Sequence, residues 1–211
     1  MKKEYIDFFK ENKYVVVRNF LEYDKCLLLY EYVKSQAVRQ SLKYTYNPDI
    51  CHQDWDGTFL DSQTPGVYSH YGDPLFDSLL NLSNDNIISC TGLSLTPQYS
   101  YYRLYETESE LKMHIDRYSC EISVTMCLGY NIDNLKDKSY NWSMYVNDKS
   151  INLNIGDILI YRGCEVKHGR DKFEGLNQAQ VFLHYNDNNG PFNNKYDGRE
   201  YLGIPKKIKG K

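Results

Sequence analysis

The chain has 211 residues, a formal net charge of −3 at pH 7 and 41% hydrophobic residues. This length suits one well-buried domain, so we expect a single domain over 1–211, with a core at about 14–187 and a C-terminal tail at about 188–211. The net charge argues against nucleic acid as a partner, because phosphate backbones bind to basic surfaces. The basic run at 206–211 is typical of a solvated tail.

The N-terminal residues lack the apolar core of a signal peptide, and no segment has the length and apolarity of a membrane span. We therefore expect a cytoplasmic protein with no membrane contact. The six cysteines include no Cys-x-x-Cys pair. This spacing indicates free thiols, most of them buried, rather than a disulfide framework or a zinc site.

The first 90 residues predict helices, with one strand and one long loop between them. Apolar spacing predicts a helix over 4–12, a β-branched run predicts a strand over 14–18, and a second helix is expected over 20–38 with Asp24 as its N-cap. Asn-Pro, Asp-Gly and Thr-Pro-Gly sequences predict loops and short strands over 41–72, a length typical of a substrate-covering lid. Asp73 and Pro74 then predict the start of another long helix.

Strands follow one another in the rest of the chain. Helices first and strands afterwards predict the α+β class, with an antiparallel barrel or a double-sheet jelly roll as the β part. Alternating apolar residues place these strands at about 95–105, 113–116, 120–130, 142–146, 150–153, 157–162, 166–169 and 178–186.

The segment His114-Ile-Asp116 is the strongest chemical signal in the sequence. Side chains two apart in a strand point to one face, so His114 and Asp116 can enter one cavity. With a third ligand from a distant strand, such as His168, two imidazoles and one carboxylate suit a catalytic non-haem iron(II) site that keeps positions open for a cosubstrate and oxygen. A pair of hydrogen-bonded core histidines is the alternative.

Four segments follow one another along the chain: Tyr101-Tyr-Arg-Leu-Tyr105, His114-Ile-Asp116, Gly156-Asp-Ile-Leu-Ile-Tyr161 and Val166-Lys-His168. In this order they resemble the iron(II)/2-oxoglutarate-dependent dioxygenases with a double-stranded β-helix core, and within that superfamily the prolyl 4-hydroxylase branch. The resemblance covers about 14–187. It implies a jelly-roll core with the N-terminal helices packed on one sheet.

The resemblance implies that His114, Asp116 and His168 are the metal ligands and the catalytic residues. It also implies iron(II) and 2-oxoglutarate as cofactors, ascorbate as a further one, and O2 as the co-reactant. The expected reaction hydroxylates a C–H bond and releases succinate and CO2. A peptidyl, prolyl-type residue is the first predicted substrate, and a free amino acid or other small molecule is the alternative. A non-catalytic, metal-binding cupin-like module is the rival from another class.

The residues that hold 2-oxoglutarate are less clearly marked. Tyr105 lies where family members use a tyrosine, but the family's cation about ten residues after the distal histidine is missing from Leu176-Asn-Gln-Ala-Gln180. A buried dianion without a partner is costly, so another basic residue must serve. Arg170 is the first choice and Arg103 the second, although Arg103 could equally point outward. Neutral hydrogen bonds are expected from Thr125, Gln178 and Gln180.

The remaining histidines and tryptophans predict less chemistry. His184 alternates with apolar neighbours and is expected to face away from the core. His52 and His70 are expected in solvated loops, and Trp55 and Trp142 are expected to be packing residues.

Overall fold

The computed structural model describes residues 2–50, 52–192 and 194–206. The helices precede nearly all of the strands, as the sequence predicts. They are α1 (Lys2–Asn12), α2 (Tyr23–Tyr46), α3 (Gln53–Asp56) and α4 (Pro74–Thr91), with short 3₁₀ turns at Pro48–Ile50, Tyr118–Cys120 and Tyr196–Gly198.

The strands form two antiparallel sheets. In chain order they are β1 (Tyr14–Val17), β2 (Tyr68–Tyr71), β3 (Leu95–Glu106), β4 (Leu111–His114), β5 (Ile122–Asn131), β6 (Met144–Val146), β7 (Lys149–Ile151), β8 (Ile158–Arg162), β9 (His168–Arg170) and β10 (Asn177–Asp187). The larger sheet has the order β1-β8-β5-β10-β3-β2, and the smaller has the order β4-β9-β6-β7.

Helices α2 and α4 cover one face of the larger sheet. Apolar residues of both helices join Val181, Leu183 and Tyr185 of β10 in one buried cluster. Because side chains alternate along a strand, Gln180 and His184 lie on the opposite face of β10, toward the barrel interior. The predicted α+β class and the placement of the N-terminal helices on one sheet are both confirmed.

Helix α2 differs from its prediction at both ends. It begins at Tyr23, so Asp24 lies inside the first turn and does not cap the helix. It continues to Tyr46, through a polar stretch that hides the helical periodicity. Gln40 is fully buried and donates a hydrogen bond to the carbonyl of Gly57 at 2.7 Å, which explains why this polar stretch remains helical. The helix ends at Asn47-Pro48, because a residue before proline avoids the helical conformation.

Helix α4 begins at its predicted signal and ends at a glycine. Asp73 accepts hydrogen bonds from the backbone N–H groups of Leu75 and Phe76, which would otherwise lack partners. At the other end Gly92 adopts a left-handed conformation with φ of 70°, which a residue without Cβ adopts at little cost.

The C-terminal segment 194–206 is joined to the rest of the domain by buried charged residues. Arg199 forms a fully buried ion pair with Asp77 of α4 at 2.7 Å. Asp197 is also buried and pairs with Arg117 at 2.8 Å. The rest of the basic run, from residue 207 onward, lies outside the described residues.

The cysteine prediction is confirmed where it can be checked. Cys26, Cys90, Cys120 and Cys127 are buried thiols, Cys164 is a partly exposed thiol, and these five form no disulfide with one another. Cys51 lies outside the described residues. Among the described helices, none combines the length and apolarity needed to cross a bilayer.

Candidate metal centre

The three predicted metal ligands meet at one end of the smaller sheet. His114 is the last residue of β4, and it lies directly across the antiparallel ladder from His168, the first residue of β9. Asp116 lies beyond the strand, so the expectation that it shares a strand with His114 is wrong. Its backbone N–H instead donates to the carbonyl of Gly163 at 2.8 Å, and this bond holds the turn that brings the carboxylate back beside the histidines.

The ligand atoms face one another. Asp116 Oδ1 lies 3.6 Å from His114 Nε2 and 3.4 Å from His168 Nε2. All three ligand atoms lie within 4.8 Å of one another. This is the spacing from which three side chains can bind one ion.

Both histidines are fixed in the same tautomer. His114 Nδ1 lies 2.8 Å from the carbonyl of Lys112, and His168 Nδ1 lies 3.0 Å from the carbonyl of Val166. A carbonyl only accepts, so each Nδ1 carries the proton and each Nε2 has a free lone pair directed toward Asp116. Two neutral imidazoles and one carboxylate form a donor set that suits iron(II).

The carboxylate stays ionised in this setting. Burial by itself would raise the pKa of Asp116, but the adjacent imidazoles of His114 and His168 hold that pKa well below its usual range. Asp116 in turn raises the pKa of His114 against the opposing effect of burial. The centre therefore offers a negative charge to a cation.

A cavity of about 490 Å³ opens beside these ligands. Its volume lies within the range of small-ligand cavities. Residues 61–63 of the long loop form part of its wall. Its other walls include Tyr71, Tyr99, Tyr101, Arg103, Leu111, Arg117, Tyr161, Phe182 and His184.

Arg103 points into the barrel, and its charge is already paired. Its Nε and Nη2 donate to Asp61 Oδ2 at 3.0 and 2.6 Å. Nη2 also reaches Gln63 at 2.6 Å, and Nη1 donates to the hydroxyl of Tyr105 at 3.2 Å. Burial opposes the charge, but these oxygen neighbours hold the pKa of Arg103 above its ordinary value.

Arg170 is buried in the barrel without a carboxylate partner. Nη1 donates to the carbonyl of Trp142 at 2.5 Å, and the guanidinium lies 4.8 Å from the Trp142 ring. Within the part of the chain that the structure describes, Nε and Nη2 have no hydrogen-bond partner. Burial lowers the pKa of Arg170, as expected of an uncompensated cation. Two free, adjacent N–H groups match what a carboxylate accepts.

The predicted neutral residues also line the barrel interior. Thr125 is fully buried and donates to Gln180 Oε1 at 3.1 Å, while Gln180 Nε2 has no partner among the described residues. Gln178 is buried opposite Tyr105 on the β3–β10 ladder. The interior therefore holds unused donors from Gln180 as well as from Arg170.

Several lesser predictions are wrong. His184 lies opposite the apolar face of β10, as expected, but that side faces the barrel interior, so the ring is buried and lines the cavity. His70 is buried against Tyr102, with 3.2 Å between Nδ1 and the hydroxyl. His52 is exposed as expected, but Trp55 is 53% exposed rather than packed. Trp142 is buried against Tyr105 and Phe173, which confirms its packing role.

Three residues beside the centre were missed by the sequence analysis: Asp61, Ser123 and Gly163. Ser123 Oγ lies 2.8 Å from Asp116 Oδ2 and 2.9 Å from His184 Nδ1. The alternation of β5 could have placed Ser123 on the inner face with Thr125, but its contact with Asp116 depends on a turn that no local pattern marks.

No family model and no curated protein matches the chain. Solved structures do match. A Pseudomonas putida prolyl-4-hydroxylase is 13% identical with a TM-score of 0.58, covering 89% of this chain and 99% of that one. The carbocyclase SnoK from nogalamycin biosynthesis, described as non-heme and alpha-ketoglutarate dependent, is 12% identical with a TM-score of 0.63, covering 100% and 94%.

HygX from Streptomyces hygroscopicus, solved with nickel, 2-oxoglutarate and hygromycin B bound, is 11% identical with a TM-score of 0.59, covering 90% of this chain and 88% of that one. At such identities the likeness establishes the fold. The fold is that of the 2-oxoglutarate/Fe(II) oxygenases, prolyl hydroxylases among them, as the order of the motifs predicts.

The two interior arginines should differ in their effect on stability. Arg170→Met removes a buried cation that lacks a counter-ion, so the ligand-free variant should be at least as stable as wild type. Arg103→Met leaves Asp61 without its partner and should lower the free energy of unfolding by roughly 3 kcal/mol. Urea denaturation of both variants measures this difference. Equal losses in the two would show that Arg170 already has a partner.

Proposed function

We propose that this chain is an Fe(II)- and 2-oxoglutarate-dependent dioxygenase that hydroxylates a C–H bond and releases succinate and CO2. The observation that carries the proposal is the convergence of His114 Nε2, His168 Nε2 and Asp116 Oδ1 at the wall of a cavity. The shared fold supports it, because HygX was solved with nickel and 2-oxoglutarate bound.

Each residue of the centre has a defined task in this proposal. His114, His168 and Asp116 would hold the iron, and the backbone carbonyls behind the imidazoles engage Nδ1 and so leave Nε2 as the nitrogen that faces the metal. When bound, the iron with its keto-acid cosubstrate supplies the oxygen activation and C–H hydroxylation that no side chain can perform.

Arg170 is the proposed partner of the far carboxylate of 2-oxoglutarate. Arg170 is buried, and two of its N–H groups have no partner among the described residues, whereas Arg103 is already paired with the carboxylate of Asp61. The dianion would restore the charge balance of Arg170. Tyr105, Thr125 and Gln178 are proposed to line the same pocket, and the free amide of Gln180 can donate there.

In this proposal the ion pair of Asp61 and Arg103 holds residues 61–63 of the long loop over the cavity. Arg103 is 6% exposed, and its contacts with Asp61 and Gln63 fix residues 61–63 against the barrel. A closed wall limits the entry of water to the reacting centre. We therefore assign Arg103 to fixing residues 61–63 in the cavity wall and Arg170 to binding the cosubstrate.

The shape of the cavity favours the small-molecule alternative over a peptidyl substrate. The prolyl 4-hydroxylase-like order of motifs predicts a peptidyl, prolyl-type residue. However, the cavity has a volume of about 490 Å³, and residues 61–63, held by Arg103, close it on one side. Such a space fits a compact ligand better than an extended chain. A free amino acid or small metabolite is thus the substrate class we propose, with the peptidyl residue second.

Anaerobic titration with Fe(II) and then 2-oxoglutarate tests the centre without a known substrate. The wild type should develop the weak visible charge-transfer band of the iron–keto-acid chelate, and Asp116→Ala should not, because the anionic ligand is lost. Oxygen-dependent succinate release should vanish in the same variant. Bound iron without the band would favour the rival, non-catalytic module, and an active Asp116→Ala would reject the ligand assignment.

The anchor of 2-oxoglutarate can be tested by its concentration dependence. Arg170→Met should raise the concentration needed for half-maximal succinate release by roughly 10- to 100-fold, the cost of losing a charged double hydrogen bond. Arg103→Met should change it less. The reverse order of effects would transfer the anchoring role to Arg103.

The substrate class can be tested by stimulation of succinate release. Free amino acids and other compact molecules should stimulate turnover more than proline-containing peptides, because residues 61–63, held by Arg103, form one wall of the cavity. Asp61→Asn weakens this contact and serves as the control: if peptides stimulate wild type and variant equally, the cavity does not exclude them and the peptidyl prediction is the better one.

A further inference from the structure

A chain of hydrogen bonds supports the outer oxygen of Asp116. Ser123 Oγ lies 2.8 Å from Asp116 Oδ2, 3.2 Å from the carbonyl of Cys120 and 2.9 Å from His184 Nδ1. The carboxylate and the carbonyl can only accept, so the single hydroxyl proton of Ser123 serves one of them. His184 must then donate from Nδ1 to the Ser123 oxygen.

His184 is suited to this donor role. It is buried on the inner face of β10, and its ring lies 4.5 Å from the ring of Tyr99 at an angle of 36°. Burial lowers the pKa of His184 to about 4, so the ring stays neutral at physiological pH. A neutral imidazole with its proton on Nδ1 is a directional donor, and the adjacent ring of Tyr99 limits its orientation.

Gly163 closes the other side of Asp116. A Cβ atom at this position would lie 2.3 Å from Asp116 Oδ2 and 2.8 Å from Ser123 Oγ, too close for either contact to survive unchanged. The Gly163 carbonyl also accepts the N–H of Asp116. Only glycine at position 163 therefore leaves enough space for the Asp116 carboxylate to lie where it does.

We propose that Ser123 and His184 are positioning residues that fix Oδ2 of Asp116, so that only Oδ1 is presented to the metal beside the two histidines. This inference rests on the proposed function. Its geometric basis is that Oδ2 is engaged by Ser123 while Oδ1 lies 3.4 Å from His168 Nε2. Such outer hydrogen bonds orient metal ligands, and their loss typically weakens metal affinity 10- to 100-fold.

A different use of the same residues is a second metal site. Asp116, Cys120 and His184 have ligand atoms within 4.8 Å of one another. However, the Cys120 thiol lies 2.9 Å from the hydroxyl of Tyr99, and His184 Nδ1 is occupied by Ser123. These engaged atoms favour a hydrogen-bonded support over a second ion.

Anaerobic titration with Co(II) alone, followed by its visible d–d absorption, measures metal affinity apart from turnover. Ser123→Ala should raise the Co(II) dissociation constant about 10-fold or more, and Ser123→Thr, which keeps the hydroxyl, should bind as wild type does. His184→Leu should weaken binding, while His184→Asn, which keeps an N–H near the position of Nδ1, should restore much of it. Ser78→Ala, on the exposed side of α4, is the unaffected control.

The outcomes separate the possibilities. Metal-free stability is measured for every variant, and the His184 pair gives an independent test if Ser123→Ala does not fold. Unchanged Co(II) affinity in Ser123→Ala and His184→Leu overturns the positioning role while leaving the metal centre intact. Two Co(II) ions per chain with a thiolate-to-cobalt band that Cys120→Ala abolishes would establish the second site instead. A wild type that binds no Co(II) defeats both this inference and the proposed function.

Discussion

The alternation of side chains along the strands of the larger sheet is the constraint on which the site depends. On β10, Val181 and Leu183 face the helices, so Gln180 and His184 must face the barrel. A shift of one residue in the register would exchange the two sets. The apolar packing of α2 and α4 therefore also determines which polar groups surround the cavity. Stability and site geometry are linked through the same strand.

Polar groups inside a barrel must be paired, and the two interior arginines satisfy this requirement differently. Arg103 has a carboxylate from the loop, whereas Arg170, among the described residues, has a single carbonyl and the face of Trp142. A protein retains an uncompensated buried cation at a cost in stability. A bound anion from outside the chain would offset that cost. This is why Arg170 is the proposed partner of the cosubstrate.

Sequence alone predicted the elements whose signals are local. The Asp73-Pro74 start of α4 and the approximate positions of the strands after it followed from capping and alternation. It failed where distant contacts decide the conformation. Helix α2 persists through a polar segment because Gln40 bonds to Gly57, and His184 lies inward because of what its neighbours pack against. Neither contact leaves a pattern within a short window of sequence.

The Asp116 carboxylate shows the same limit most clearly. His114 and Asp116 were expected to share a strand face, yet the strand ends between them and the ligands still converge. What brings Asp116 back is a backbone bond to Gly163 and a hydroxyl from Ser123, one after β8 and the other on β5. A two-residue spacing thus pointed to two side chains that do lie together, but for an incorrect reason. The geometry of a metal ligand is set by its support as much as by its position in the chain, and that support comes from segments far apart in the sequence.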